Sequence, residues 1–236
     1  MPGTLAKTTS PREVGRAAGA LSLAMNAIDP TPGRKGPIAP YYELYDVHHG
    51  IGGDRDVFWA EVSKPQFDGC REAMNTLCGA LEKLERDVLG PAATGDLILP
   101  KQLIHGDLHF DNVLVDGEEV SGLLDFEFCA VDWRVMELAV CLSKYVSEEG
   151  ALDLCADFIA GFMEKGELTQ EEMRVVPDCI NLRICSNVVY FTGRALVGED
   201  SLDSLTSRAG TYAKRVDWVE ENRDALVACL EAAAAK

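Results

Sequence analysis

Basic residues are scarce in this sequence, and long apolar runs are missing. It has 22 Lys and Arg against 39 Asp and Glu, which gives a formal net charge of −17 over 236 residues. Such an acidic protein repels nucleic acid and anionic lipid, and no run is apolar enough for a transmembrane helix. We therefore expect no nucleic-acid and no membrane partner. The same charge suits a cationic substrate and repels nucleotides unless Mg²⁺ screens them.

Cysteine pairs of the CxxC type are missing as well. The eight cysteines lie mostly in apolar helical patterns, which is typical of small, reduced core residues. We expect a reducing compartment, either the cytoplasm or an organellar stroma or matrix. The length is sufficient for one well-buried core. We predict a flexible leader over residues 1–10 and a single lobe over residues 11–236.

A glycine-rich phosphate loop is the third feature that the sequence lacks. The densest glycine cluster, at residues 50–53, does not have the GxGxxG spacing, and no strand with a V-A-I-K-like lysine follows it. We predict a plain loop there. His48 and His49 precede the cluster, but no nearby Cys or carboxylate pattern completes a metal site.

What the sequence does contain is a stretch of chemistry-bearing residues at 104–126. A His-Gly-Asp triplet at 105–107 is followed, five positions after its aspartate, by Asn112. Two short apolar runs then flank an Asp-Gly turn signal, and Asp125 closes the second run. If the runs pair as a hairpin, Asn112 and Asp125 emerge at the same open end, where their side chains can share one cation.

These residue types match the needs of phosphoryl transfer. A carboxylate must orient the attacking hydroxyl and accept its proton, and an amide oxygen with a second carboxylate must hold Mg²⁺ against the nucleotide phosphates. Asp107 fits the first role, and Asn112 and Asp125 fit the second. The alternative to this functional interpretation is that these acidic residues are simply solvated loop residues. A lone His-x-Asp pattern is common and does not by itself indicate a site.

The spacing resembles the catalytic loop and metal-binding turn of the kinase fold. Gly106 stands where protein kinases have Arg, and Glu127 stands where they have the last Gly of the metal turn. In both respects the stretch is similar to the aminoglycoside phosphotransferase, choline kinase and homoserine kinase family, and most of all to bacterial-type homoserine kinases. The resemblance is specific over residues 102–145 and looser over the rest from Pro11 onward.

The resemblance implies a fold class, namely a mainly α (α+β) kinase-like large lobe with a small β-hairpin at its active edge. It places the catalytic loop and metal turn at 102–133 and a helical remainder at 134–236. It implies that His105 is structural and that Asp132 braces the catalytic loop, although Asp132 can equally be a plain helix cap. It also implies that the chain begins where the large lobe begins, so that a small-lobe partner chain or self-association is conceivable.

Helical periodicity covers most of the remaining sequence. A Ser10 N-cap with Pro11 at the first position predicts the first helix, Gly90-Pro91 is expected to stop the second, and residues 30–63 are predicted to form an irregular insertion. The predicted helices are 11–28, 66–89, 133–146, 151–164, one that begins at 169, 177–197 and 203–234.

A polar stripe runs along the predicted helix 177–197. Arg183, Asn187, Tyr190 and Arg194 recur at spacings of four, three and four, so they share one face. One interpretation is a substrate platform, in which Arg183, Asn187 and Arg194 contact the substrate and an arginine holds a carboxylate. The other is internal ion pairing with the many acidic residues, which base rates favour.

The residues together predict transfer of the γ-phosphoryl group of ATP to a small-molecule hydroxyl, with Mg²⁺ and ATP as cofactors. Homoserine or a similar amino alcohol follows from the resemblance. One alternative is a catalytically incomplete lobe that serves as a binding or regulatory subunit or is a fragment. A weaker one is a metal-dependent phosphoesterase, because His105, Asp107 and His109 alternate, but this enzyme needs further ligands.

Overall fold

The computed structural model describes residues 10–28 and 38–235, together with a two-residue strand, Gly3–Thr4. Helices predominate, and the strands form a three-stranded and a two-stranded antiparallel sheet. The predicted mainly helical fold with one small hairpin is confirmed. The helices are α1 (Pro11–Asn26), α2 (Arg55–Val62), α3 (Arg71–Leu84), α4 (Gly90–Thr94), α5 (Val135–Leu142), α6 (Ala151–Phe162), α7 (Gln170–Leu196), α8 (Asp203–Glu221) and α9 (Arg223–Ala234).

The strands lie on the side of the molecule where the His-Gly-Asp triplet is found. They are β1 (Gly3–Thr4), β2 (Lys101–Ile104), β3 (Val113–Asp116), β4 (Glu119–Leu123) and β5 (Ala130–Trp133). The β3–β4 hairpin is paired as predicted, and β1 adds to its β3 edge. β2 pairs with β5, so that Ile104 lies opposite Ala130. Both loops that carry the chemistry-bearing residues therefore leave from one end of the β2–β5 pair.

The first helix packs against α6 through glycines. A Cβ atom on Gly15 would come within 2.1 Å of the Phe158 carbonyl oxygen, and one on Gly161 within 1.9 Å of the Arg12 carbonyl oxygen. Glu164 accepts hydrogen bonds from Arg12 and Arg16 beside this contact. On its other face α1 contacts β2, because the Gln102 side-chain amide donates to the Ser22 carbonyl oxygen at 2.9 Å. The position of β2 is therefore tied to α6 through α1.

Two helix predictions for the part of the chain before the His-Gly-Asp triplet were wrong. The supposedly irregular insertion contains α2, with Asp54 as a side-chain N-cap; its residues 30–37 lie outside the described part. Gly90-Pro91 does not stop the second helix. A π-helical turn, Glu85–Leu89, precedes it, and the Gly90 N–H bonds to the Glu85 carbonyl. The wider turn accommodates the proline that an α-helix would not, and the helix ends at left-handed Gly95.

Two later predictions were also wrong. The helices expected from 169 and over 177–197 are one helix, α7, which begins with a capping box at Thr169 and contains Pro177. Most side chains after Pro177 are buried, and that packing outweighs the ~3 kcal/mol that an interior proline costs. The last predicted helix is two, because the Asn222 backbone leaves the helical conformation, with φ = −112° and ψ = 15°. The Asn222 side-chain amide donates to the Trp218 carbonyl oxygen at this break.

Other expectations have mixed outcomes. Ser10 precedes α1 as predicted but makes no side-chain capping bond. All eight cysteines are free, four of them buried and four half-buried. The predicted leader, 1–10, lies outside the described residues except for Ser10 and β1. Over the described parts of the chain, no helix combines the length and apolarity that a bilayer crossing requires.

Candidate active site

The His-Gly-Asp loop, residues 105–112, is held against the Asp125 turn, residues 124–129. Gly106 has φ = +79°, and a Cβ atom there would lie 2.5 Å from the Phe128 carbonyl oxygen. Only glycine combines this conformation with such a close backbone approach. The arginine that protein kinases have at this position would therefore not fit the turn in this chain.

His105 links the same two segments through its ring. Its Nε2–H donates to the Leu124 carbonyl oxygen at 2.8 Å, and its Nδ1 accepts from the Asp107 N–H at 3.3 Å. Burial lowers the pKa of His105, which favours the neutral form that these bonds require. The ring also lies against Phe126, with centroids 4.6 Å apart. This contact set is the one expected of a structural histidine.

The hairpin brings Asn112 and Asp125 to its open end, as the sequence predicted. The Leu124 N–H donates to the Asn112 carbonyl oxygen at 2.8 Å, so the two positions are next to each other across the pair. The Asn112 side-chain Nδ2 donates to the Asp107 carbonyl oxygen at 2.9 Å. Its Oδ1 is thereby left to face a ligand, and amide and carboxylate oxygens are what Mg²⁺ binds.

Asp125 has a left-handed backbone, with φ = 65° and ψ = 61°. Its side chain is exposed and, across the described residues, has no hydrogen bond and no ion pair. Such a backbone costs about 1–3 kcal/mol for a residue other than glycine, and such strain tends to occur at functional sites. An unpaired carboxylate beside the Asn112 amide fits a hard divalent cation.

Asp107 lies in very different surroundings. Its Oδ1 accepts from Arg183 at 2.8 Å, and the ring Nε2 of His109 lies 3.6 Å from its Oδ2. Burial raises the pKa of Asp107, but His109 and the Arg183 charge outweigh burial and bring the pKa below its usual value. The side chain is 17% exposed. Asp107 is thus an ionised carboxylate that a small molecule can still reach.

Arg183 also borders a cavity with a volume of about 540 Å³. Its guanidinium donates to Asn187 Oδ1 at 2.5 Å and lies over the Tyr41 ring. Asn187 lines the cavity next to Tyr190 and Ser186, and Gly106 and Glu127 form another part of the wall. Of the predicted stripe, Arg183 and Asn187 therefore reach the neighbourhood of Asp107.

Arg194 does not reach that neighbourhood. It bonds to the Tyr190 hydroxyl at 3.3 Å and lies 3.5 Å from Glu199 and 3.7 Å from Asp200. Internal ion pairing therefore describes Arg194, and its expected place among the substrate contacts is not what the structure shows. The physical reason is the length of α7, because three turns separate Arg194 from Arg183.

Two buried acids support the loop, and only one of them was anticipated. Asp132 lies within β5, before the helix, so the plain-cap alternative is wrong. It accepts from the Trp133 and Tyr41 N–H groups, and the Tyr41 hydroxyl donates to the Gly106 carbonyl oxygen at 2.7 Å. Glu137 accepts the His105 N–H directly at 2.7 Å. Burial raises the pKa of both acids to about 7.

The sequence analysis assigned Glu137 no part in the site. A signal was nevertheless present, since Glu137 is an acid inside a wholly apolar helical stretch and such a group needs a buried partner. The sequence analysis named His109 only in the phosphoesterase alternative, and the structure places its ring beside Asp107. Its position two residues after Asp107 in the loop was the available signal.

The histidine pair that precedes the glycine cluster forms a separate group. His48 and His49 both face Glu199, at 3.1 and 3.4 Å, a partner distant in sequence that local patterns could not reveal. His48 Nδ1 accepts the Gly50 N–H, so its Nε2 carries the proton that points to Glu199. The pair ties the loop to the end of α7. Neither histidine lies beside Asp107. Among the described residues, the pair therefore does not provide the further metal ligands that the phosphoesterase alternative needs there.

Comparison of the sequence with known proteins finds a matching family model and several similar kinases. Residues 1–174 match the model of the phosphotransferase enzyme family. Homoserine kinase of Beijerinckia indica is 35% identical over 123 residues, which is 48% of this chain and 37% of the relative. Homoserine kinase of Zymomonas mobilis is 34% identical over 162 residues, 66% of this chain and 43% of the relative. The chain thus matches less than half the length of these curated relatives.

Solved structures show the same fold at low identity. An amicoumacin kinase in complex with AMP-PNP, Ca²⁺ and Ami has a TM-score of 0.58 at 14% identity, covering 94% of this chain and 61% of that one. A choline/ethanolamine kinase family protein from Mesorhizobium loti has a TM-score of 0.58 at 14% identity, covering 98% and 70%. These likenesses confirm the predicted kinase-like fold.

Proposed function

Because this chain belongs to the phosphotransferase enzyme family, we propose that it transfers the γ-phosphoryl group of ATP to the hydroxyl of a small molecule. The observation that carries the proposal is the arrangement of Asp107, Asn112 and Asp125. A loop and a turn from one strand pair bring an ionised, reachable carboxylate near an amide and a second, unpaired carboxylate. Homoserine or a similar amino alcohol is the proposed acceptor, supported by the homoserine kinase relatives.

Asp107 would accept a hydrogen bond from the acceptor hydroxyl and hold its oxygen toward the phosphorus. A carboxylate with a lowered pKa is a weak base, so its main contribution is orientation. As the new P–O bond to the acceptor oxygen forms, the bond between the γ-phosphorus and the oxygen that bridges it to the β-phosphate would break and ADP would leave. The hydroxyl proton would pass to Asp107 in the same step. Arg183 and His109 would keep Asp107 ionised and fixed in the meantime.

Asn112 and Asp125 would hold Mg²⁺, which when bound neutralises charge on the phosphates. Mg²⁺ fits these residues because Asn112 Oδ1 and the Asp125 carboxylate are oxygen atoms that accept no hydrogen bond from the residues the structure describes. His105, Asp132 and Glu137 would act at one remove, by fixing the loop that carries Asp107.

Calorimetric titration of the purified chain with ATP, with and without Mg²⁺, tests the proposal. We expect Mg²⁺-dependent binding that is lost in Asp125→Ala, followed by turnover with an amino-alcohol acceptor. Asp116→Ala, an exposed carboxylate at the other end of the hairpin, is the matched control and should bind as the parent does. Folded protein that binds no ATP would instead favour a regulatory or incomplete lobe.

A further inference from the structure

Three cationic side chains from different elements lie in the region of Asp107, although the protein as a whole is strongly acidic. Arg183 bonds to Asp107. Burial lowers the pKa of Lys144 and the charges of Arg183 and Arg215 lower it further, while Asp107 and Asp111 act in the opposite direction. The net charge of −17 makes such a concentration of cations unexpected, and the reaction proposed above does not use Lys144 or Arg215.

Three different elements build this cluster. Lys144 follows α5, whose Cys141 thiol donates to the Leu108 carbonyl oxygen at 3.0 Å and so fixes the end of the helix against the catalytic loop. Arg183 belongs to α7. Arg215 lies on α8, one turn after the buried Tyr212. Burial raises the pKa of Tyr212, and the charges of Arg208, Arg183 and Arg215 oppose that rise. Because α5 and α8 both pack against α7, the three cations are brought into one region of the molecule.

The cations are short of partners. Among the described residues, no carboxylate forms an ion pair with Lys144 or Arg215, and Asp107 is the one acid that pairs with Arg183. The Nε atoms of Arg183 and Arg215 are both buried without a hydrogen-bond acceptor. An unsatisfied buried donor costs about 1–3 kcal/mol, and the like charges repel one another. The arrangement thus lacks a counter-ion that a ligand can supply.

We propose that Lys144, Arg183 and Arg215 form an anion subsite that binds the carboxylate of the acceptor while Asp107 orients its hydroxyl. The inference rests on the proposed phosphoryl transfer and narrows its acceptor to short hydroxy acids. Alcohols whose only charge is a cationic amine would meet like charge at this subsite. Arginine suits the task because its planar donors match a carboxylate.

Calorimetry with a matched ligand pair tests the subsite without requiring turnover. The probes are 4-hydroxybutyrate and its neutral amide, 4-hydroxybutyramide, with L-homoserine as a third acceptor. We expect the acid to bind the parent chain at least about tenfold more tightly than the amide, the size of a charge-assisted hydrogen bond. Lys144→Gln and Arg215→Gln should each weaken the acid about tenfold and leave the amide unchanged.

The control is Lys214→Gln, which removes the same charge from an exposed neighbour on α8 and should leave the acid unaffected. Arg215→Lys should retain part of the affinity, and the melting temperature of each variant reports its folding. Equal binding of acid and amide, or no binding of the acid by folded protein, would overturn the subsite. So would variants that lose ATP affinity instead, because the cations would then serve the nucleotide. Binding of acid and ATP without turnover would overturn only the proposed reaction.

Discussion

Asp107 and Asp125, the two aspartates proposed to act in the reaction, differ in burial and in their partners. Asp107 is mostly buried and bonded to Arg183, whereas Asp125 is exposed, left-handed and unpaired within the described residues. A buried carboxylate with its pKa lowered by a partner stabilises the fold. A strained, unpaired carboxylate does not. The difference teaches that Asp107 has a structural as well as a chemical reason to be present, whereas folding gives no reason for Asp125.

Asp107→Asn tests the buried aspartate and should have the largest effect on activity. The amide keeps the shape but cannot accept the hydroxyl proton, so we expect phosphoryl transfer to fall about 10²- to 10⁴-fold. Mg²⁺–ATP affinity should be unchanged, since Asp107 is not among the expected metal ligands. Steady-state turnover and ATP calorimetry on the same preparation measure both. Parent-like turnover would remove Asp107 from the chemistry.

Gly106→Ala should damage the contact between the loop and the turn. The backbone of residue 106 is left-handed, and the added Cβ would lie 2.5 Å from the Phe128 carbonyl oxygen. We therefore expect the free energy of unfolding to fall by at least ~3 kcal/mol. Gly117→Ala is the matched control, because Gly117 has φ = 64° with nothing within 4 Å. It should lose only about 1 kcal/mol. Urea denaturation distinguishes the two, and equal losses would mean that strain alone matters.

Glu137→Gln should change how stability depends on pH. Burial raises the Glu137 pKa from 4.5 to about 7, so the folded state holds this proton more tightly than the unfolded state. The contribution is fully present below pH 4.5 and is lost as pH rises through 7, by ~3 kcal/mol at most. Glutamine still accepts the His105 N–H and does not titrate.

We therefore expect a shallower fall of the unfolding free energy between pH 4.5 and 7 in Glu137→Gln. Asp132, whose pKa is also about 7, should keep part of the slope. Asp116→Asn removes a charge from an exposed turn and should leave the slope as in the parent. Denaturant titrations at several pH values provide the measurement. An unchanged slope in Glu137→Gln would contradict the buried-acid assignment.

Asp125→Gly tests the exposed aspartate and should have the smallest effect on stability. It separates the role of Asp125 in binding most clearly from any role in folding. Glycine adopts the left-handed conformation without strain but makes the unfolded chain more flexible. We expect the free energy of unfolding to stay constant or rise by up to about 1 kcal/mol, while Mg²⁺-dependent ATP binding is lost. Ser147→Gly, at the other left-handed non-glycine residue, should stabilise similarly and keep ATP binding.

Sequence reasoning found the parts of the site that are local in the chain. The β3–β4 hairpin and the loop before it lie within some twenty residues, so turn chemistry and spacing place Asn112 and Asp125 at one end. The Arg183–Asp107 bond joins residues 76 positions apart. A helical stripe shows that Arg183 shares a face with Arg194, but not which of the two lies beside the loop.

The missed helix boundaries have a similar origin. Pro91 and Pro177 are helix breakers by local rules, and both lie inside continuous helical segments. A π-helical turn in one case and burial in the other offset the local penalty. Asn222 has a weaker breaking tendency than either proline and yet ends a helix. Local propensity therefore located most of the helices, although it missed α2, and it did not locate their ends.

The glycine contact between α1 and α6 affects how mutational scans of this protein will read. Gly15 and Gly161 lie so close to the opposite backbone that any side chain must push the helices apart. Since α1 also holds β2 through Gln102, such a shift would reach the catalytic loop without a site residue being changed. Intolerance to substitution at these glycines would match that of Asp107, although neither glycine belongs to the proposed site. In this protein, mutational sensitivity alone does not identify the active site.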